Sequence, residues 1–282
     1  MARLHIHSES TSRLAIWARR MAGFAFLASF LAVIIVRSGL LEIRPALATF
    51  AGALAIAIVA LMLALAALVV IWMEGLGGIG AALTTMVVSL ALLAYPAYLG
   101  LKAYRLPWIY DITTDPIDPP RYEALARLRV RDANPTTYAG LYAAEQQRAA
   151  YPDVGPLGTN ATVQAAYDAA LAVVNKRRWR IVDARAPQAG RREGRIEAVA
   201  RTPIMGFRDD VVIRVRAETD GVRIDARSSS RYGSFDFGTN AARVRGLMND
   251  IEDAIRAQKP ERPPPTQQPA KKSTGKKDQP KR

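Results

Sequence analysis

The 282-residue chain has no cysteine and only two histidines, His5 and His7, both in its N-terminal tail. Without thiols there are no disulfides, no cysteine-held iron–sulfur clusters and no thiolate zinc sites. Without histidine beyond the tail, Ser-His-Asp triads, Cys-His dyads and HExxH zinc motifs are excluded from the rest. A third scarcity is local: between Pro45 and Leu101 the only charged residue is Glu74. Residues 102–258, by contrast, carry 25 basic and 20 acidic side chains. The mean hydropathy of +0.02 therefore averages an apolar half and a water-soluble half.

Of the formal charge of +14, the N-terminal flank carries +3, the loop Arg37–Arg44 +1, residues 102–258 +5 and the tail 259–282 +6, with Glu74 taking one away. A basic chain can serve nucleic acid, but no recognition motif accompanies this charge. Contact with a membrane surface accounts for it, and no specific nucleic-acid partner is expected.

Three apolar runs are readable: about Leu14–Val36, Ala46–Met73 and Leu76–Leu101. A bilayer core of roughly 30 Å needs roughly 20 helical residues, so each can cross it. The first run has the shortest uncharged core, Met21–Val36, and needs Arg19 and Arg20 to snorkel. Read as a signal peptide it would lack a good cleavage site after Val36. Glu74-Gly75-Leu76-Gly77-Gly78 reads as a tight turn between the second and third runs. Small residues (Ala48, Gly52 and Ala55, then Ala81, Ala82 and Ser89) predict close helix packing. Trp72, Tyr95, Tyr98, Tyr104, Trp108 and Tyr110 gather near run ends, as interfacial aromatics do. No ionisable residue lies inside the second or third run, so the helices read as anchor and scaffold rather than as a pore. Flanking Arg and Lys divide evenly between the two sides. The more basic flank of the first helix selects a cytoplasmic N-terminus and a soluble part beyond an inner membrane, in the periplasm.

The chain thus divides into an N-terminal tail (1–13), a three-helix transmembrane region (14–101), an extended arm with one short helix (102–158), an α+β domain (159–258) and a basic tail (259–282) expected to be disordered. The arm is Pro-rich, with Asp111-Ile-Thr-Thr-Asp-Pro-Ile-Asp-Pro-Pro120 extended and a helix over Thr137–Ala150. In the domain, Thr159 or Asn160 caps a helix running to about Lys176. Strands follow over Trp179–Arg185 and Gly194–Pro203. Two further strands with period-two alternation run from Val211 and from Val222, turning at Asp220-Gly221. A last helix starts at Gly238–Asn240, with Val244, Leu247, Met248, Ile251 and Ile255 on one face. The predicted fold is helix, four-stranded antiparallel sheet, helix. The helices cover one sheet face, and Arg214, Arg216, Arg223, Arg227, Glu218 and Asp225 pair across an exposed one.

Four segments resemble the uncharacterised bacterial family called domain of unknown function 1499. They are Asp111-Ile-Thr-Thr-Asp-Pro, Ala150-Tyr-Pro-Asp-Val-Gly-Pro-Leu, Arg201-Thr-Pro-Ile-Met-Gly-Phe-Arg-Asp-Asp and the stretch Arg227–Arg243. The last carries the family's pattern of Ser-Arg-x-Gly followed by Asp-x-Gly-x-Asn-x-x-Arg, here Ser230, Arg231, Gly233, Asp236, Gly238, Asn240 and Arg243. Phe235 stands where the family often has a small polar residue. The resemblance implies a membrane-attached envelope protein and brings no established reaction.

Ser228–Arg243 is also the densest polar constellation. A hydroxyl-rich strand end runs through Arg231 and a glycine turn into a helix N-terminus, where free N–H groups favour anions. Ser230, Arg231, Gly233, Asp236, Asn240 and Arg243 are the candidate ligand-binding residues, for a carboxylate or phosphate. In the structural alternative, Asp236 or Asn240 caps the helix and Arg231 pairs with Asp236. Two functions stay open. One is a membrane-anchored module binding an anionic lipid, a polymer or an envelope protein, with no catalytic residue, metal or cofactor. The other is an enzyme using Asp111, Asp115, Asp209 and Asp210 as acid/base groups or metal ligands.

Overall fold

A computed structural model describes residues 10–39, 43–188 and 193–258. The basic tail 259–282 and most of the N-terminal tail, with both histidines, lie outside the described residues. Three long helices come first: α1 (Arg13–Ser38), α2 (Ile43–Glu74) and α3 (Ile79–Arg105). All three are long and apolar enough to cross a membrane. Their packing is inverted relative to a water-soluble bundle. Small residues lie inside: Ala18, Ala22 and Ala25 of α1, Ala53, Ala57, Ala60 and Ala64 of α2, and Ala82, Thr85 and Ser89 of α3. Large ones face out, among them Phe24, Phe30, Ile58, Met62 and Val87. Small side chains let backbones approach, and outward Phe, Ile and Met suit lipid better than water. The expected contact face Ala48–Gly52–Ala55 is exposed; the true one is set by the Ala53 repeat. Gly75 and Gly78 take positive φ (65° and 117°) at the α2–α3 reversal, which other residues adopt only with strain.

The remaining elements are β1 (Asp111–Thr113), α4 (Ala124–Leu128), α5 (Leu141–Ala150), β2 (Leu157–Thr159), α6 (Val163–Lys176), β3 (Arg180–Arg185), β4 (Glu193–Arg201), β5 (Arg208–Glu218), β6 (Gly221–Ser230) and α7 (Thr239–Gln258). The sheet has six strands rather than four. Its order is β1-β6-β5-β4-β3, and β2 also pairs with β6; every pairing is antiparallel. The two added strands come from the segment expected to be an arm. They lie along the same edge of β6, with β1 opposite Arg227–Ser229 and β2 opposite Val222–Ile224. Each is three residues long, too short for alternation to announce it.

Alternation then sorts the side chains. Ile196, Ala198, Val211, Ile213, Val215, Ile224 and Ala226 form one core with α6 and α7, which supply Ala170, Val174, Val244, Leu247 and Ile251. Thr162 caps α6 by accepting from the Ala165 N–H at 3.1 Å, two or three residues beyond the expected cap. The β5–β6 reversal centres on Thr219 and Asp220, with Gly221 already opposite Glu218 in the ladder.

The opposite face is covered, not exposed. Residues 114–136, α4 among them, lie over it, Leu125 packing with Tyr122, Val199 and Val212. The buried carboxylate of Glu197 holds the start of α4 by accepting from the N–H groups of Glu123 and Leu125, both at 2.8 Å. Of the charged rows expected on the surface, Arg214, Asp225 and Arg227 are therefore buried, Arg227 with 1% exposure, while Arg216 and Arg223 are half-buried and Glu218 stays exposed.

The loop after β4 fastens this domain to the helices. Arg37 of α1 donates to the carbonyls of Pro203 and Ile204, and Arg201 donates to the Arg37 carbonyl. Met205 packs against Val36 and Ala46.

Candidate functional site

β5 and β6 bring Asp209 opposite Ser230 and Asp210 opposite Ser229. Adjacent residues on a strand point to opposite faces, so the sheet splits this polar cluster in two.

On the helical face, Asp236 caps α7: its carboxylate accepts from the N–H groups of Gly238 at 2.9 Å and Asn240 at 2.8 Å. Asn240 is fully buried and fully used. Its Nδ2 donates to the Tyr110 carbonyl and to Ser230 Oγ, both at 2.9 Å. Its Oδ1 accepts from Ser228 Oγ at 2.7 Å and from Arg243. Arg243 pairs with Asp209 at 2.5 Å. Burial raises the Asp236 carboxyl above its ordinary pKa of 3.8 against the opposing pull of the two N–H groups.

On the other face, Arg231 pairs with Asp210 at 2.7 Å, and Arg129 takes the second oxygen of the same carboxylate at 2.7 Å. Arg129 also donates to the carbonyls of Asn134 and Pro135. Asn134 donates through Nδ2 to the carbonyls of Ser230 and Gly233. Gly233 sits at φ 83° in that turn. Next along the sheet, Arg227 grips Asp111 with two hydrogen bonds, its guanidinium 4.7 Å from the Tyr122 ring centre and 5.6 Å from that of Tyr138. Burial raises the Asp111 carboxyl even with Arg227 beside it. Burial also raises the Tyr138 and Tyr151 hydroxyls to about 12. Farther along, Asp225 accepts from Arg214 and Arg223, and Asp115 pairs with Arg223 at 2.9 Å.

Four of the six candidates are thus brought together, Ser230, Asp236, Asn240 and Arg243. Gly233 turns the chain between the faces. Arg231 lies across the sheet from Arg243, so the two do not converge, and its partner is Asp210 rather than Asp236. The four candidate acid groups fare likewise. Asp209 and Asp210 diverge, and Asp111, Asp115, Asp209 and Asp210 are each matched to an arginine. Among the described residues, no three His, Cys, Asp or Glu side chains are grouped to hold a metal ion. Reading the sequence missed Arg129 and Asn134, which lie in a turn-rich stretch with no periodic signal. Period two from Ser228 to Arg231 already held the sign that Ser230 and Arg231 part company.

Phe235, the departure from the family pattern, stacks on Trp108 at 5.4 Å between ring centres, and Phe237 lies 4.5 Å from Phe235. This aromatic group sits where α3 enters the domain, beside Lys102, which donates to the Phe237 carbonyl.

No curated protein matches the chain. The family profile described as "Protein of unknown function (DUF1499)" matches residues 111–251. The match opens on the first residue of β1, so the edge strands and the strap over the sheet lie within it. With half its length covered by that profile, the chain belongs to the DUF1499 family.

Proposed function

We propose that this is a membrane-anchored binding module of the bacterial cell envelope. In this reading α1, α2 and α3 cross the inner membrane, the N-terminus is cytoplasmic and the DUF1499 domain stands in the periplasm. There it engages an anionic lipid, an anionic polymer or an envelope protein. The observation that carries the reading is the inverted helix packing: alanine inside, and Phe24, Phe30, Ile58, Met62 and Val87 outside. The pairing of Asp111, Asp115, Asp209 and Asp210 with arginines favours binding over acid/base chemistry, because a general acid or base must be free to exchange its proton.

Topology reporters test this. A reporter active only outside the cytoplasm is expected to work when fused after Arg282 and to fail before Met1. A reporter active only inside is expected to do the reverse. Both ends on one side overturns the three-crossing reading.

A further inference from the structure

A cavity of about 410 Å³ opens on the α4 face of the sheet, at the end nearest the helices. Its polar lining is arginine: Arg177, Arg178, Arg180, Arg201, Arg208 and Arg231, with Leu128, Trp179, Val182 and Val199 as apolar wall. Among the described residues, no carboxylate lines it. Arg231 and Arg177 spend charge on Asp210 and Asp250. Arg178, Arg180 and Arg208 make no ion pair among the described residues.

Two features show that this arrangement costs the protein something. Arg201 and Arg208 stand directly opposite each other across the β4–β5 ladder, where like charges repel. Arg178 holds φ at 54°, a left-handed conformation that disfavours side chains with a Cβ, and it stands just past Arg177, the C-cap of α6. Arginine stays protonated at any physiological pH, so the cavity is permanently cationic. Guanidinium forks match the paired oxygens of a phosphate. The cavity adjoins a second hollow lined by Val36, Gly39 and Ile43 of the helix region, sharing Leu128, Arg208 and Arg231 with it. If α1 and α2 span a bilayer, this mouth lies at headgroup depth, with exposed Leu128 and Val130 beside it.

We infer that the arginine cavity binds a phosphate group, and that its source is the headgroup of an anionic membrane phospholipid. The phosphate rests on the cavity alone; the lipid source rests on the membrane reading above. A phosphate between Arg201 and Arg208 relieves their repulsion, and Arg178 and Arg180 supply further donors.

The test uses the full-length chain. In detergent, inorganic phosphate is titrated against the melting temperature, with equal ionic strength of chloride as reference. Phosphate is expected to stabilise the parent beyond chloride. The triple variant R178Q/R180Q/R208Q is expected to need about tenfold more phosphate or more, having lost three charge-assisted contacts. A control variant with the same charge loss at residues that do not line the cavity, R121Q/R131Q/R148Q, should titrate like the parent. Without phosphate, Arg208→Gln alone should melt no lower than the parent, since a like-charge contact is removed. No phosphate effect beyond chloride, or equal titration of the two triple variants, overturns the cavity site. The source is tested in nanodiscs: phosphatidylglycerol discs are expected to stabilise the parent over phosphatidylcholine discs, and the cavity variant is expected to lose that difference. Phosphate binding with no such difference overturns the lipid assignment. Carbonate extraction of membranes reports separately on anchoring, so a failed anchor and a failed cavity give different results.

Discussion

Arg227 and Asp111, 116 positions apart, are joined by two near-parallel hydrogen bonds of 2.9 and 2.6 Å, and both residues are buried. The pair ties the three-residue strand β1 to the strand β6 at the centre of the family pattern. Arg227 gives two further donors to the carbonyls of Pro120 and Thr136, which pins the strap across the sheet. Removing one partner strands a buried charge, so Asp111→Ala or Arg227→Ala is expected to destabilise the domain by about 3–5 kcal/mol. The joint replacement Asp111→Leu with Arg227→Met should cost less than either single change. Chemical denaturation of the four proteins measures this.

The same pair predicts where the folding unit begins. A fragment of residues 154–258 leaves Arg227 without Asp111 and the upper edge of β6 without β1. It is expected to aggregate, whereas a fragment of residues 106–258 should give a cooperative melt. Cooperative unfolding of the shorter fragment would show that β1 is dispensable.

Arg231 answers to Asp210, and Asp236 to the start of α7. Arg231→Ala and Asp210→Ala should therefore be non-additive, because they share one interaction. Arg231→Ala and Asp236→Ala should add, the second costing about 0.5–2 kcal/mol as a lost helix cap. Melting curves of the two double variants distinguish the networks. Additivity of Arg231 with Asp210 would contradict the assignment.

Two sets of carboxylates respond to acid in opposite senses. Asp153 is held below its ordinary value of 3.8 by the Arg245 hydrogen bond. Burial pushes Asp118 upward, but Arg214 and Arg216 outweigh it and leave it lowered. A depressed folded value gives stability that is present above the unfolded value and lost as pH falls through the folded one. Asp111 and Asp236 are raised by burial, so their contribution is present below 3.8 and lost as pH rises through their folded values. Asp118→Asn should flatten the fall in melting temperature below about pH 4, and Asp236→Asn should steepen it. Melting temperature followed from neutral into acid checks both slopes.

Within the helices, the alanine repeat sets the spacing. Ala57→Leu is expected to force α1 and α2 apart and cost about 1–3 kcal/mol by overpacking, while Ile58→Ala, one residue on and facing outward, should be near neutral. Thermal melts in detergent compare the two.

Much of the architecture was legible from residue order because it depends on local regularities. Runs without charge fix three membrane-length helices. Period two marks β5 and β6, and the spacing of Val244, Leu247 and Ile251 marks the buried face of α7. The same local reading offered Asp236 as a cap for the last helix. The absence of cysteine and of histidine beyond the tail excluded whole classes of chemistry before any fold was known.

What only the tertiary structure decided is everything that depends on pairing across long separations. Three-residue strands carry no periodic signal, so β1 and β2 exist because β6 offers an unpaired edge. The charged rows of β5 and β6 look like a solvent face until residues 114–136 cover part of them and leave Arg214, Asp225 and Arg227 buried. Which of Asp236 or Asp210 receives Arg231 is set by the side of the sheet from which it emerges. The arginine cavity is the clearest case. Its members come from the end of α6 and from β3, β4, β5 and the turn after β6, and nothing in their order along the chain shows that they meet. The electrostatic cost of gathering them falls due only in the folded protein.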